Sequence, residues 1–403
     1  MAAGPLVAGA AGADITPARL DGLNAMGPDF TGIHDRLCAR AVVIGDGVRQ
    51  VAIVGVDLLE VGDTTALRDR IEREHGIPAG AILIAPTHSH NAPRAGRTPA
   101  GGLSRAASAE SLAFTDEVFA ALVDVVGAAR AALRPARVGI ARGTADVNIN
   151  RDELIDGSWM LGRDEDGPSD KTLTVIAIRG QEGGSIATLL GYAVHPTIAL
   201  GIPQLSADLA GATTSAVADV LGGEVLWLPG SLGDQAPRRS LEADRRAGAD
   251  PSADDAFGLV AALAEPLAAE AIRLADNITT WTDAADVVGR ESTLPCPPKR
   301  GTGLPPDMIQ EQVEAVALRL TALTLGDIAL LGVGGEVTTT AAAEILAASA
   351  AEHPLLVSIA NERLGYLADE DAFDRGTFAA RGCPITRGWV PRAAAQLASM
   401  VGA

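Results

Sequence analysis

The chain of 403 residues holds three cysteines, Cys38, Cys296 and Cys383, an odd number set far apart. That fits reduced thiols better than a disulfide framework, and no pair of them has the spacing of a metal site. Aromatic residues make up only 3%. The core must therefore be aliphatic, and the two tyrosines, Tyr192 and Tyr366, stand out. Lysine is almost missing: Lys171 and Lys299 are the only two among 32 basic residues, which face 51 acidic ones for a net charge of -19. This deficit of positive charge argues against nucleic acid or an anionic membrane as a general partner, since both need a basic footprint. No apolar run reaches the roughly 18 residues of a membrane helix. The first residues, Met1-Ala2-Ala3-Gly4-Pro5, lack the basic segment and apolar core of a signal peptide. The expectation is a soluble cytoplasmic protein with no stable membrane association.

Hydrophobic residues, at 47%, are enough for a sizeable core in one large domain or two ordinary ones. Apolar runs Ala39 to Ile44 and Val51 to Val56 flank Gly45-Asp46-Gly47, a hairpin signal. Thr172 to Ile178 and Ser185 to Val194 flank Glu182-Gly183-Gly184, and Glu314 to Leu325 and Ile328 to Val333 flank Gly326-Asp327. Ala81 to Ala85, Val225 to Leu228 and Leu355 to Ala360 read as core strands. Helical patterns cover Thr64 to His75, Phe114 to Leu133, Asp208 to Leu221, Asp255 to Ala275 and Thr338 to Ala351. Ala92 to Glu110, Arg238 to Asp254 and Pro295 to Pro306 read as surface loops. The expected fold is α/β with mixed α+β layers: mixed parallel and antiparallel sheets flanked by helices. Without a linker or repeat, residues 1–403 read as a single domain.

Six histidines occur in the whole chain. Two close an apolar run, Ile82-Leu83-Ile84-Ala85-Pro86-Thr87-His88-Ser89-His90. A third closes another, Leu189-Leu190-Gly191-Tyr192-Ala193-Val194-His195-Pro196. Strands that end in histidine deliver imidazoles to the mouth of a site, and neutral imidazole is a good zinc ligand. The alternative for each is a satisfied structural histidine, and His-x-His alone does not separate the two.

The punctuation along the chain carries more. In order it runs Ala11-Gly12-Ala13-Asp14-Ile15-Thr16-Pro17, Gly32-Ile33-His34-Asp35-Arg36-Leu37, Thr87-His88-Ser89-His90, Asn148-Ile149-Asn150-Arg151, His195-Pro196-Thr197 and Ser206-Ala207-Asp208. It continues through Gly233-Asp234-Gln235-Ala236-Pro237 and Gly334-Gly335-Glu336 to Asn361 through Gly365-Tyr366. This series resembles the neutral/alkaline ceramidase family, zinc-dependent amidases that cut the N-acyl bond of ceramide.

The resemblance implies a zinc ion held by His88, His195, Glu336 and Tyr366, with His90 as proton donor or orienting group and Arg151 on an oxyanion or carbonyl oxygen. Extended-chain spacing would turn His88 and His90 to one face. Read alone, Glu336 is a loop carboxylate, Tyr366 a packing aromatic and Arg151 a surface charge. Asp208 either orients a ligand histidine or is the acidic first residue of its helix. The implied reaction is hydrolysis of a linear amide by metal-activated water.

Three departures from the family pattern bear on substrate. Ala236 stands where the family has a serine, Phe378 where it has a second tyrosine, and the chain ends at Ala403 without the C-terminal immunoglobulin-like domain of secreted members. The loop from Ala92 to Glu110 carries Arg94, Arg97 and Arg105, which are either solvated or recognise an anionic group. The expected substrate is a small, polar N-acyl compound of the cytosol. The alternatives are true ceramidase action on an N-acyl sphingoid lipid, a zinc esterase or lactonase, and a catalytically inactive metal-binding protein.

Overall fold

Turn chemistry sets the first hairpin. Asp46 accepts the backbone N–H groups of Val48 and Arg49 at 2.9 and 2.6 Å, and Gly47 takes a φ of 85°. Strands Cys38–Gly45 and Gln50–Val56 then pair antiparallel. The computed structural model describes residues 4–97, 108–241, 245, 248–299 and 316–402.

An eight-stranded sheet runs in the order Glu224–Pro229, Ser185–Tyr192, Thr172–Gly180, Arg134–Thr144, Val7–Asp14, Cys38–Gly45, Gln50–Val56, Ile82–Pro86. Its two outermost pairs are parallel and the inner ones antiparallel. The sheet curls, so that Leu226 on one edge strand packs on Gly55 near the other. A Cβ at Gly55 would sit 3.4 Å from the Leu226 side chain. The first and last strands are thereby brought side by side.

A second sheet, Val287–Cys296, Val316–Leu325, Ile328–Val333 and His353–Ser358, ends in a third parallel pair. Asn361 ties it to the first sheet. Its backbone N–H donates to the Ile84 carbonyl at 2.9 Å, its Oδ1 accepts from Ile84 N–H at 2.8 Å, and its Nδ2 donates to Ile82 and Thr321. The side chain thus continues the ladder on the outer edge of Ile82–Pro86, whose polar groups would otherwise be buried unpaired. The φ of 65° at Asn361 is one that asparagine tolerates better than most residues.

Helix Ala109–Ala131 lies across strands Val7–Asp14 and Cys38–Gly45, and helices Asp208–Leu221 and Ala253–Asp276 pack on one another. The layered α/β expectation is met. So are the three hairpins and the five helices, with changed bounds: the third hairpin is described from Val316 because 314–315 lie outside the described residues, Phe114 to Leu133 starts earlier, at Ala109, and Thr338 to Ala351 stops at Ala348.

The three loop readings change at their described ends, while 98–107, 242–244, 246–247 and 300–306 lie outside the described residues. Ala92 to Ala95 is buried, because it runs under the cavity described below, and Ser108 already caps the next helix by accepting the Ser111 N–H. Pro295 and Cys296 complete a strand, and Ser252 forms a capping box with Asp255. Arg105 lies outside the described residues. The Ala- and Gly-rich strand Val7–Asp14, strand Arg134–Thr144 and C-terminal helix Trp389–Gly402 went unread in the sequence. The small or mixed residues of the two strands carry little periodic signal, whereas Trp389, Val390, Ala393, Ala394, Leu397 and Met400 recur at helical spacing that the pattern would have revealed. Among the described residues no helix is long and apolar enough to cross a membrane.

Candidate metal centre

Each parallel pair sends its chain ends to the same rim, because parallel strands share a carboxyl edge. In open α/β sheets that edge is where ligands collect. Strand Gln50–Val56 leads to Glu60, and strand Ile82–Pro86 to His88 and His90. Strand Ser185–Tyr192 leads to His195, and strand Glu224–Pro229 to Asp234. Strand Ile328–Val333 leads to Glu336, and strand His353–Ser358 to Arg363 and Tyr366.

Both candidate ligand histidines are oriented from behind. His88 Nδ1 donates to the Leu59 carbonyl at 2.7 Å, and His195 Nδ1 donates to the Gln235 carbonyl at 3.1 Å. With the ring proton on Nδ1, each Nε2 offers a lone pair. Both lone pairs point at one carboxylate: His88 Nε2 is 3.6 Å from Glu336 Oε1, and His195 Nε2 is 3.1 Å from Glu336 Oε2. Burial holds His88 down at about 3, and His195 is lowered by burial and by Arg151, so both are neutral at ordinary pH. Burial alone would raise the Glu336 carboxyl. The Arg363 guanidinium, followed by His88, instead keeps it well below the usual carboxylate range.

Acceptors therefore face acceptors in a dry site, with no hydrogen between them. That arrangement is unfavourable by itself and becomes favourable around a cation, so the residues fit a metal. They are borderline-to-hard nitrogen and oxygen donors, which suit zinc and do not exclude other first-row divalent metals.

His90 is closer to this centre than the extended-chain argument allowed, and for a different reason. His88 has a φ of 65°, so the segment turns rather than extends. Ring centroids of His88, His90 and His195 lie 4.9, 5.0 and 5.7 Å apart, and one ring nitrogen of each falls within 4.8 Å of the others. His90 Nε2 is 3.4 Å from His88 Nε2, while its Nδ1 is buried without a partner.

Tyr366 pairs with Glu336 across a short parallel ladder, and its ring lies 6.5 Å from that of His195. Arg151 lies within strand Asn148–Ile155 rather than after a strand, and it is buried rather than a surface charge. It donates to the Gly233 carbonyl at 2.8 Å, hydrogen-bonds Tyr366, and sits 5.4 Å over the Tyr366 ring. Burial and Glu336 push the Tyr366 phenol up, so tyrosinate there needs added positive charge.

Asp208 takes the helix-start role. Its carboxylate accepts from Ala199 and Leu209 N–H and touches neither ligand histidine. Burial raises its pKa to about 6. Ala236 lies on the cavity wall, and the Phe378 ring stacks edge-on against Tyr366 at 5.5 Å. Arg94 also lines the cavity, whereas Arg97 pairs with Asp116 at the surface.

Sequence reading missed Glu60 and Arg363. Arg363 donates to Glu336 Oε1 at 2.6 Å and to Glu60 Oε2 at 2.8 Å, and all three are buried. Glu60 follows a buried strand just as the histidines do, so the same reasoning would have found it. No sequence feature marks the Leu59 or Gln235 carbonyl.

No protein-family model and no curated protein matches this chain. Solved structures do. Neutral ceramidase from Pseudomonas aeruginosa superposes with a TM-score of 0.81 at 17% identity, over 98% of this chain and 74% of that one. A ceramidase complexed with C2 gives 0.74 at 19% identity, over 98% and 75%. The fold is neutral ceramidase-like, as the order of sequence motifs implied.

Proposed function

We propose that this protein is a metal-dependent hydrolase of linear N-acyl amide bonds, with zinc as its metal. The observation that carries the reading is the convergence of His88 Nε2, His195 Nε2 and the Glu336 carboxylate, with both Nδ1 atoms committed to backbone carbonyls. His88, His195 and Glu336 would hold the ion, and Tyr366 and His90 stand beside it. A bound zinc supplies Lewis acidity, polarising a carbonyl oxygen and lowering the pKa of water.

The chain's own groups do the rest. Arg151, a buried cation above Tyr366, meets the amide oxygen as negative charge grows on it. His90, neutral and with one unpartnered nitrogen, would take the proton that the attacking water loses and pass it to the leaving amine, which departs poorly as an anion. Arg363 fixes the Glu336 carboxylate and keeps it ionised.

In this reading the substrate is a small, polar N-acyl compound, which the arginines lining the cavity support. The alternative, an N-acyl sphingoid lipid, draws its support from the likeness of fold to ceramidase. Elemental analysis of the purified protein beside His195→Ala tests the centre. We expect roughly one zinc per chain, lost in the variant. A metal-free wild type after reconstitution would remove the mechanism. Release of amine from short N-acyl amides, but not from detergent-dispersed ceramide, decides between the substrates.

A further inference from the structure

The cavity over the centre has a volume of about 460 Å³, within the span of roughly 300–1,000 Å³ seen for small-molecule sites. Its charge runs against that of the chain. Arg94, Arg151, Arg163, Arg245 and Arg363 line it against Glu60 and Glu153, in a protein of net charge -19. Three of these arginines are already engaged with carboxylates, Arg163 through Glu165 at 3.5 Å. Arg363 holds Glu60 and Glu336, and Arg94 Nη1 lies 3.9 Å from Glu60.

Arg245 differs. Its Nη1 donates to the Leu200 carbonyl at 2.6 Å, and it has no carboxylate partner among the described residues. Its guanidinium is seated against Gly201, where a Cβ would come within 3.2 Å of it. The loop that leaves His195 runs through Thr197 and Leu200, which both line the cavity, so the segment that positions a metal ligand also anchors this cation. Met26, Leu161, Pro237 and Phe378 add apolar surface to the same cavity.

A guanidinium on the wall of a ligand cavity matches a carboxylate in geometry and charge, and an uncharged amide gives it nothing comparable. Resting on the amidase reading above, we infer that the substrate is an N-acyl amino acid. Arg245 receives its carboxylate and the apolar wall takes its acyl chain.

The test uses metal-loaded full-length protein, with N-hexanoyl amino acids as probes beside their uncharged N-methylamides. Calorimetric binding and hexanoate release are read for wild type, Arg245→Leu and Arg245→Lys. Wild type should bind the acids about ten- to a hundredfold more tightly than the methylamides, the range of one charge-assisted hydrogen-bonded pair. Arg245→Leu should erase that preference and Arg245→Lys should restore part of it. A preference that persists in Arg245→Leu would assign the attraction to the metal and overturn the inference. Equal affinity for acid and methylamide, or binding of neither, would overturn it as well. Arg245-dependent binding with no hexanoate release would refute the amidase reading while leaving the carboxylate site. Equal hydrolysis of acid and methylamide would do the reverse.

Discussion

Arg363→Met should be among the costliest single changes in the metal-free protein. Arg363 is only 8% exposed and is held between Glu336 and Glu60, which are 0% and 3% exposed. Methionine fills much of the space but leaves two buried carboxylates without their cation. Removing one partner of a buried ion pair costs about 3–5 kcal/mol. Arg94, at 3.9 Å, still serves Glu60 in part, so about 4 kcal/mol is expected rather than twice that. Unfolding entropy of about 2.1 cal/mol/K per residue gives roughly 0.85 kcal/mol/K for this chain, hence a fall in Tm of about 5 °C. The assay is thermal unfolding by circular dichroism, in chelator and then in excess zinc. Zinc should narrow the deficit, because the cation supplies Glu336 with the charge that Arg363 gave. Adding Glu60→Gln and Glu336→Gln should recover most of the loss in chelator, since neutral amides need no counter-charge. A metal-free Arg363→Met protein within about 1 kcal/mol of wild type would refute the ion-triad argument.

Three further outcomes follow from other parts of the molecule. Asn361→Leu removes the side-chain bonds to Ile82, Ile84 and Thr321 and should cost about 3 kcal/mol in chemical denaturation. A change under about 1 kcal/mol would show that the edge of Ile82–Pro86 finds other partners. Arg151→Ala should keep the metal and lower kcat by about a hundredfold or more, as for loss of one oxyanion donor, whereas wild-type turnover would remove its catalytic role. Asp208 has a folded pKa raised from 3.8 to about 6. The native state therefore binds the extra proton between those values. Its stabilising contribution is full below the unfolded pKa and is lost as pH rises through about 6. Relative to wild type, Asp208→Asn should gain about 2.4 kcal/mol between pH 4 and 7. A flat difference would mean that burial does not hold the proton there.

Much of the scaffold was legible because its signals are local. Gly45-Asp46-Gly47 must turn, and the turn fixes the pairing of two apolar runs whatever surrounds them. The helix from Asp208 to Leu221 has the bounds read from its pattern. Strand Val7–Asp14 was not legible, because a run of Ala and Gly has neither bulk nor alternation. Its place between two neighbours is decided by their pairing with it.

The sequence by itself determined which chemistry is present: histidines at the ends of two apolar runs, a glutamate after a third, few aromatics and an acidic balance. It did not determine which of those groups meet. His88 and Glu336 are 248 positions apart in a chain of 403, and they approach only because three parallel strand pairs end at one rim and Asn361 joins two sheets. The left-handed turn at His88, the carbonyls of Leu59 and Gln235 behind the imidazoles, and Arg363 between two glutamates exist only in the folded chain. Each depends on backbone atoms or burial, which residue identity does not encode. Tertiary structure likewise decided the sign of the cavity. A chain with an excess of acid gathers arginines around one pocket, and the charge a substrate meets there is that of the pocket wall rather than of the whole protein.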